Sequence, residues 1–330
     1  MTSLSGWMPI RIYWHNSQPL VDWCYLGDER FTDPFFDQTI ERALRKPFAL
    51  LFRHQTSIDS LQEVADSELS VRPTGFIFHM SRCGSTLVSQ MLASLPQNIV
   101  ISEAGPIDSI LRANWHDPRV TDDMRIAWLK GLLAVYGRKR KGGEEYLYVK
   151  FDSWHTLDLG LIRRAFPEVP WIFLYRDPVE VMASHRRMMG AQMVPGNLHP
   201  ALFNLDYAAL AGMSLEEYCA RVLQSIGEAA LERVDEAARL YNYRQLPDAV
   251  WSDLPGHFQV QYTATEIARM QDVTRFDAKS PSLPFTDDTA AKNREVTVEM
   301  RKLAEERLMP VYRKLESARQ PAQADWVGRS

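Results

Sequence analysis

The run Ser81-Arg82-Cys83-Gly84-Ser85-Thr86 is the place where residue types and spacing speak most directly of chemistry. It follows the apolar stretch Phe76-Ile77-Phe78-His79 and leads at once into a helical pattern. Free backbone N–H groups and the positive end of a helix therefore point at one place, where an anionic group belongs. Gly84 lets the backbone approach closely, Ser85 and Thr86 add hydroxyl donors, and Arg82 supplies a guanidinium for phosphate oxygens. Nucleoside triphosphatases place Lys and then Ser or Thr directly after the last glycine of this loop, and here no Lys follows Gly84. The basic residue stands two positions before the glycine instead, which suits a terminal phosphate or phosphosulfate better than a magnesium-bound triphosphate. Taken alone, the segment also reads as an ordinary strand-to-helix turn with a capping serine.

The elements that must position this loop alternate in type. From residue 75 the pattern predicts strand 75–79, helix 85–95, strand 98–102, helices 106–115 and 121–137, strand 146–151, helix 157–166, strand 170–175 and helix 178–189. Such alternation predicts an α/β fold, a three-layer parallel sheet with helices on both faces and a helical C-terminal part. Ahead of it, residues 1–72 read as an N-terminal elaboration. They carry strands at 8–14 and 21–26, a helix over 35–51 opened by Thr32-Asp33-Pro34, and a helix near 57–69. Residues 73–330 form the α/β domain, expected to make one compact unit with the N-terminal part. The Met/Pro/Gly/Asn stretch 188–200 reads as a long loop of the lid or binding kind. A helix over 214–238 and a last helix carrying Val296, Met300, Leu303, Leu308, Val311 and Leu315 show core-packing stripes. The run Arg138-Lys139-Arg140-Lys141 reads as an exposed turn.

Whole-chain composition narrows the partners. The 330 residues carry 38 basic and 42 acidic side chains, a formal charge of -4, which argues against broad binding to nucleic acid or anionic membrane. Three scattered cysteines, Cys24, Cys83 and Cys219, imply neither a disulfide framework nor a paired-cysteine metal site, and they fit a reducing cytoplasm. The N-terminus lacks the basic start and apolar run of a leader, and no stretch of eighteen apolar residues occurs, so the expectation is a soluble cytoplasmic protein without stable membrane insertion.

The loop at 81–86 resembles the 5′-phosphosulfate loop of the sulfotransferase superfamily, with Cys83 where the family usually has Ser and Ser81 where Pro is common. The run from Phe173 through Tyr175-Arg176-Asp177-Pro178 to Ser184 resembles the family's 3′-phosphate motif. Its spacing has a physical reason, because Arg176 leaves a strand's carboxyl end while Ser184 lies two turns into the next helix and can meet the same phosphate. Asp177 and Pro178 read equally as cap and first residue of that helix. Tyr148-Val149-Lys150-Phe151-Asp152-Ser153-Trp154-His155 is similar to the family's strand that ends in Lys followed closely by His. The resemblance covers about residues 74–256 and implies a P-loop NTPase-like fold. It also implies a donor, 3′-phosphoadenosine 5′-phosphosulfate, that leaves as adenosine 3′,5′-bisphosphate, and a small-molecule acceptor with a hydroxyl or amine. No metal is required, and a homodimer is compatible with it.

The resemblance further implies roles for single residues. Arg82, Cys83, Gly84, Ser85, Thr86, Arg176 and Ser184 bind the donor, and Lys279 and Lys292 stand where related enzymes place a late basic loop. Lys150 and Arg82 stabilise charge on the departing phosphate. Two residues compete as general base: Glu103, preferred because it follows strand 98–102 at the carboxyl edge, and His155. Two other readings stay open, a phosphate-loop kinase with Asp177 on magnesium and a non-catalytic adenine-nucleotide binder. The acceptor is not coded legibly, although Trp23, Phe35, Phe36, Trp115 and Trp154 are candidates to line an apolar pocket.

Overall fold

The computed structural model describes residues 4–67, 69–286 and 295–319. Its centre is a five-stranded sheet made of β4 (Pro73–His79), β5 (Asn98–Ser102), β6 (Tyr146–Lys150), β7 (Trp171–Tyr175) and β8 (Ala238–Asn242), in the order β5-β6-β4-β7-β8. Every pairing is parallel. Side chains alternate between faces, so Phe76, Phe78, Phe151 and Phe173 enter one core while Ile77, Tyr148, Ile172 and Leu174 enter another. Both faces are covered by helices, which is why these strands read as unbroken apolar runs. The expected three-layer α/β architecture with a helical C-terminal part is what forms.

The connection after β4 runs toward β5 and the one after β7 runs toward β8, on opposite sides. Their departure in opposite directions makes the carboxyl ends of β4 and β7 the switch point of the sheet, the usual ligand position in an open α/β sheet. The loop at 81–86 and Arg176 flank it.

The N-terminal residues form a separate antiparallel sheet, β1 (Trp7–His15), β2 (Gln18–Tyr25) and β3 (His54–Ser57). The third strand was not expected; its four residues pair with β2 but alternate only weakly in burial. Trp7, Met8, Ile12, Val21 and Trp23 of this sheet share one hydrophobic core with Phe76 and Phe78. The single helix expected over 35–51 is two, Phe36–Leu44 and Pro47–Leu51, because Pro47 has no N–H to continue the first and suits the start of the second. Likewise the helix expected to reach 238 ends at Leu231. There Asp235 takes the Ala237 N–H on its side chain and the Ala238 N–H on its carbonyl, turning the chain into β8. Residues 298–319 are one long helix with a wide turn at Ala304–Leu308.

In the basic run at 138–141, Lys139 and Lys141 are exposed as expected, whereas Arg138 and Arg140 turn inward. Arg138 is 2% exposed and donates to the carbonyls of Leu4 (3.1 Å) and Trp7. Arg140 donates to the Glu29 carbonyl and lies 5.1 Å over the Phe31 ring. These guanidiniums bind main-chain oxygens of the N-terminal layer rather than solvent, because a buried carbonyl needs a donor and Arg brings several in a fixed fork.

Candidate functional site

Four strand ends build the site. At the end of β4 the chain turns through Ser81 (φ 79°), Arg82 (φ 53°) and Gly84 (φ 85°), all left-handed, and enters helix Ser85–Ala93. Gly84 is required twice over: its φ suits glycine, and a Cβ there would meet Leu246 Cδ1 at 2.7 Å and Tyr243 Cδ2 at 2.9 Å. Cys83 points away from the crevice. Its Sγ donates to the Leu174 carbonyl at 3.1 Å, and burial pushes the thiol up to about 12, so the residue anchors the loop to β7 and offers a ligand only its backbone. Ser85 and Thr86 occupy the buried first turn of the helix.

Arg82 and Ser184 meet. Arg82 Nε donates to Ser184 Oγ at 2.7 Å, joining residues 102 positions apart across the crevice. Arg176 leaves β7 beside them, its guanidinium on the Glu180 carboxylate and 4.0 Å from the Tyr243 ring centroid. Tyr243, in the turn after β8, was not expected at the site; it holds the Arg176 plane flat while the edge donors remain directional. Asp177 accepts the N–H groups of Val179 (2.9 Å) and Glu180 (3.2 Å), with Pro178 at the first helical position.

A second cluster lies at the ends of β5 and β6. Glu103, at φ 56°, donates its N–H to the Lys150 carbonyl at 2.8 Å and accepts the Lys150 ammonium on its carboxylate. His79 Nε2 is 3.3 Å from the same carboxylate oxygen and 3.1 Å from the Phe151 carbonyl. Its Nδ1 accepts the Ser81 N–H at 3.1 Å, which assigns the ring proton to Nε2. Burial alone would raise the Glu103 carboxyl, but the Lys150 ammonium and the His79 ring outweigh it and hold it well below the carboxylate range. Burial also lowers His79 and keeps it neutral. His79 escaped the sequence reading, yet a polar residue closing an apolar strand is the signal that could have found it. Phe35, from the N-terminal part, lies 5.1 Å from the Lys150 ammonium and 5.9 Å from that of Lys279.

Lys279 sits at the turn between β9 (Phe276–Asp277) and β10 (Ser280–Pro284). Burial of its ammonium first, then the charges of Arg82 and Lys150, lower it to about 8 against the partial opposition of Glu103 and Asp277, although much of the residue is open to solvent. Lys292 lies outside the described residues.

His155 is brought near but turned inward. It is fully buried, with Nε2 2.9 Å from Asp108 Oδ1 and Nδ1 accepting the Asp152 N–H at 3.3 Å. Both ring nitrogens are therefore engaged within the protein, an arrangement that positions other groups rather than meeting an acceptor. The loop at 188–200 is tied down, because Gln192 donates to Ser81 Oγ (3.0 Å) and Ser153 Oγ (3.2 Å). Of the aromatic candidates, Trp23 and Phe36 are core, and Trp154 donates to Asp108 at 2.8 Å. Trp115 is 44% exposed.

The site is thus that of an α/β protein with a glycine-containing strand-to-helix loop after its first parallel strand and several cations at the carboxyl ends of the strands. Residues 73–226 match the sulfotransferase family model, so over this segment the chain resembles the sulfotransferase superfamily. Among solved structures, a sulfotransferase from Mycobacterium avium is 13% identical with a TM-score of 0.42, over 72% of this chain and 78% of its own. A sulfotransferase from Alicyclobacillus acidocaldarius is 14% identical with a TM-score of 0.43, over 76% and 96%. Likenesses this distant carry no weight for the chemistry of the site. No curated protein matches the chain. Among the described residues no His, Cys, Asp and Glu group is arranged to hold a metal ion, and no helix is long and apolar enough to cross a membrane.

Proposed function

We propose that the chain is a sulfotransferase that moves the sulfuryl group of 3′-phosphoadenosine 5′-phosphosulfate to a hydroxyl or amine of a small-molecule acceptor. The observation that carries this reading is the meeting of Arg82 with Ser184 at 2.7 Å, with Tyr243 lying against both Gly84 and the Arg176 guanidinium. That hydrogen bond joins two segments that separately resemble phosphate motifs, which supports their acting as one clamp. In this reading the loop N–H groups, Ser85 and Thr86 receive the 5′ end, and Arg176 with Ser184 receives the 3′-phosphate. Cys83 contributes through its backbone, and Lys279 closes the site from the hairpin.

Transfer is an in-line displacement, so positioning and charge stabilisation supply most of the rate. As the sulfur moves to the acceptor, the electron pair of the broken S–O bond stays on the departing phosphate. Lys150 and Arg82 stabilise that charge. Glu103 is the counter-charge that holds the buried Lys150 ammonium in place. A kinase reading would need Asp177 for magnesium, and its carboxylate is already engaged in capping its helix.

Calorimetric titration tests the assignment. Tight binding of adenosine 3′,5′-bisphosphate without magnesium, with weak binding of ATP, is the expected result; preference for Mg-ATP overturns it. Transfer of radiolabelled sulfuryl to a library of alcohols, phenols and amines then separates an enzyme from a non-catalytic binder.

A further inference from the structure

An acceptor hydroxyl must release its proton as the new O–S bond forms, and the group that takes it must be able to hold it. Glu103 is badly placed for this task. Protonating it would break its ion pair with Lys150, whose side chain is 0% exposed, and leave a buried ammonium without its counter-charge.

We propose that Asp152 accepts the acceptor's proton and that His155 and Asp108 position it from behind. This rests on the sulfotransferase reading. Asp152 lies two residues beyond Lys150, where the chain leaves the carboxyl end of β6, and its side chain is 12% exposed. It stands at the same carboxyl edge as Lys150, and unlike Glu103 its carboxylate is not taken up by the Lys150 ammonium.

Behind it runs a chain of titratable groups. Asp152 Oδ2 is 3.8 Å from His155 Nδ1, and His155 Nε2 is 2.9 Å from Asp108 Oδ1. Asp108 also accepts from Trp154 Nε1 at 2.8 Å, lies 3.7 Å from Arg112, and is 32% exposed. The line thus leads from the end of β6 to a carboxylate partly open to solvent. Four groups face Asp152: His155 from the turn that follows it, Glu103 from the end of β5, Asp108 from helix Gly105–Leu111, and Lys150 from β6. Burial, then the negative charges of Glu103 and Asp108, raise its carboxyl to about 7 against the opposing effect of His155 and Lys150. A carboxylate in that range can take a proton in one step and return it in the next, whereas one held as low as Glu103 cannot keep it.

The step balances. The acceptor oxygen bonds to sulfur, the sulfur–oxygen bond to the 5′-phosphate breaks with its electron pair on the phosphate, and the acceptor proton goes to an Asp152 oxygen. After product leaves, Asp152 gives that proton to solvent. The neighbourhood also explains why His155 is engaged at both nitrogens: it fixes the Asp152 backbone through Nδ1 and is itself oriented by Asp108.

The experiment compares wild type, Asp152→Asn, Asp152→Glu, Glu103→Gln and His155→Gln. Each is titrated with adenosine 3′,5′-bisphosphate and assayed with radiolabelled donor, using the acceptor from the library or water where none is found. The wild-type pH profile of kcat/KM should show an acid limb near 7. Asp152→Asn should lower kcat by ~10²–10⁴-fold, remove that limb and leave bisphosphate affinity within about threefold. Asp152→Glu should keep part of the activity and shift the limb, which keeps the test decisive if the Asn variant does not fold. His155→Gln should shift the limb with a smaller loss in kcat, as a positioning residue would. Near wild-type turnover in both Asp152 variants, or a limb that vanishes in Glu103→Gln and persists in Asp152→Asn, overturns the proposal while the sulfotransferase reading stands. Wild-type protein that binds no bisphosphate removes the reading and the proposal together.

Discussion

The two edges of the parallel sheet use cations in opposite ways. Beyond the amino ends of the strands, Arg138 and Arg140 spend their guanidinium donors on the carbonyls of Leu4, Trp7 and Glu29, fixing one layer of the molecule to another. Beyond the carboxyl ends, Arg82 meets a serine hydroxyl, Lys150 a single carboxylate and Lys279 an aromatic ring. The first set is consumed by neutral oxygens at fixed places, and its value is in folding. The second gathers at the carboxyl ends of the strands beside a helix N-terminus, where under the proposed function an anion would relieve the mutual repulsion of the cations. Basic residues in a sequence do not announce which use awaits them; the atoms they face decide it.

The largest effect that sharpens this contrast belongs to Lys150. Lys150→Met should lower kcat by ~10³-fold, the scale of losing one preorganised electrostatic contact, while bisphosphate affinity falls only a few-fold. Single-turnover transfer and calorimetry separate the two, and equal losses in both would make Lys150 a simple binding residue. At the other edge, Arg138→Met should destabilise the fold by ~2–4 kcal/mol, because two buried carbonyls lose a charged donor, with bisphosphate affinity intact in the folded protein. Denaturant unfolding reads the first quantity and calorimetry the second. Weakened ligand binding with stability retained would abolish the distinction between the edges. Arg176→Ala comes next, with a ~10–100-fold loss of bisphosphate affinity, since charge-assisted hydrogen bonds contribute ~1.5–3 kcal/mol. Arg176→Lys should recover little of it, because a lysine cannot keep both the Tyr243 face and a two-pronged edge.

Much of the carboxyl edge was legible in the sequence because its signals are local. A strand followed by a glycine turn and a helix fixes residues 81–86, and a strand ending in Arg176 before an Asp-Pro cap fixes the second half of the proposed clamp. That both halves meet follows from parallel strands sharing one carboxyl edge. Pro47 was also a local signal, and reading through it merged two helices. The remainder depended on partners distant in sequence. Arg138 finds Leu4 and Trp7 more than 130 residues back, so composition made it solvent-exposed and topology made it buried. His155 matched a motif by type, yet its ring is turned to Asp108 on another helix. Phe35 and Tyr243 reach the site from segments whose docking angle no periodicity encodes.

The smallest expected effect tests the carboxyl edge most finely, because it depends on charge alone. Lys279 is lowered to about 8 by burial of its ammonium and by the charges of Arg82 and Lys150. An anion bound among these groups reverses part of that repulsion and raises the lysine again, so bound protein holds its proton to higher pH than free protein. Affinity for adenosine 3′,5′-bisphosphate should therefore be flat below pH 8 and fall as pH rises through it, by at most about tenfold per unit for one proton. The second ionisation of the phosphates, near ~6, ends below this window and cannot produce the slope. Calorimetry in two buffers of different ionisation heat should register uptake of a fraction of a proton at pH 8.5 and almost none at pH 7. Lys279→Met should remove both the uptake and the slope, at a cost of only a few-fold in affinity at neutral pH. A slope that survives this substitution would move the titrating group elsewhere in the crevice, and a flat wild-type profile would detach Lys279 from the phosphate site and leave the clamp to Arg82, Arg176 and Ser184.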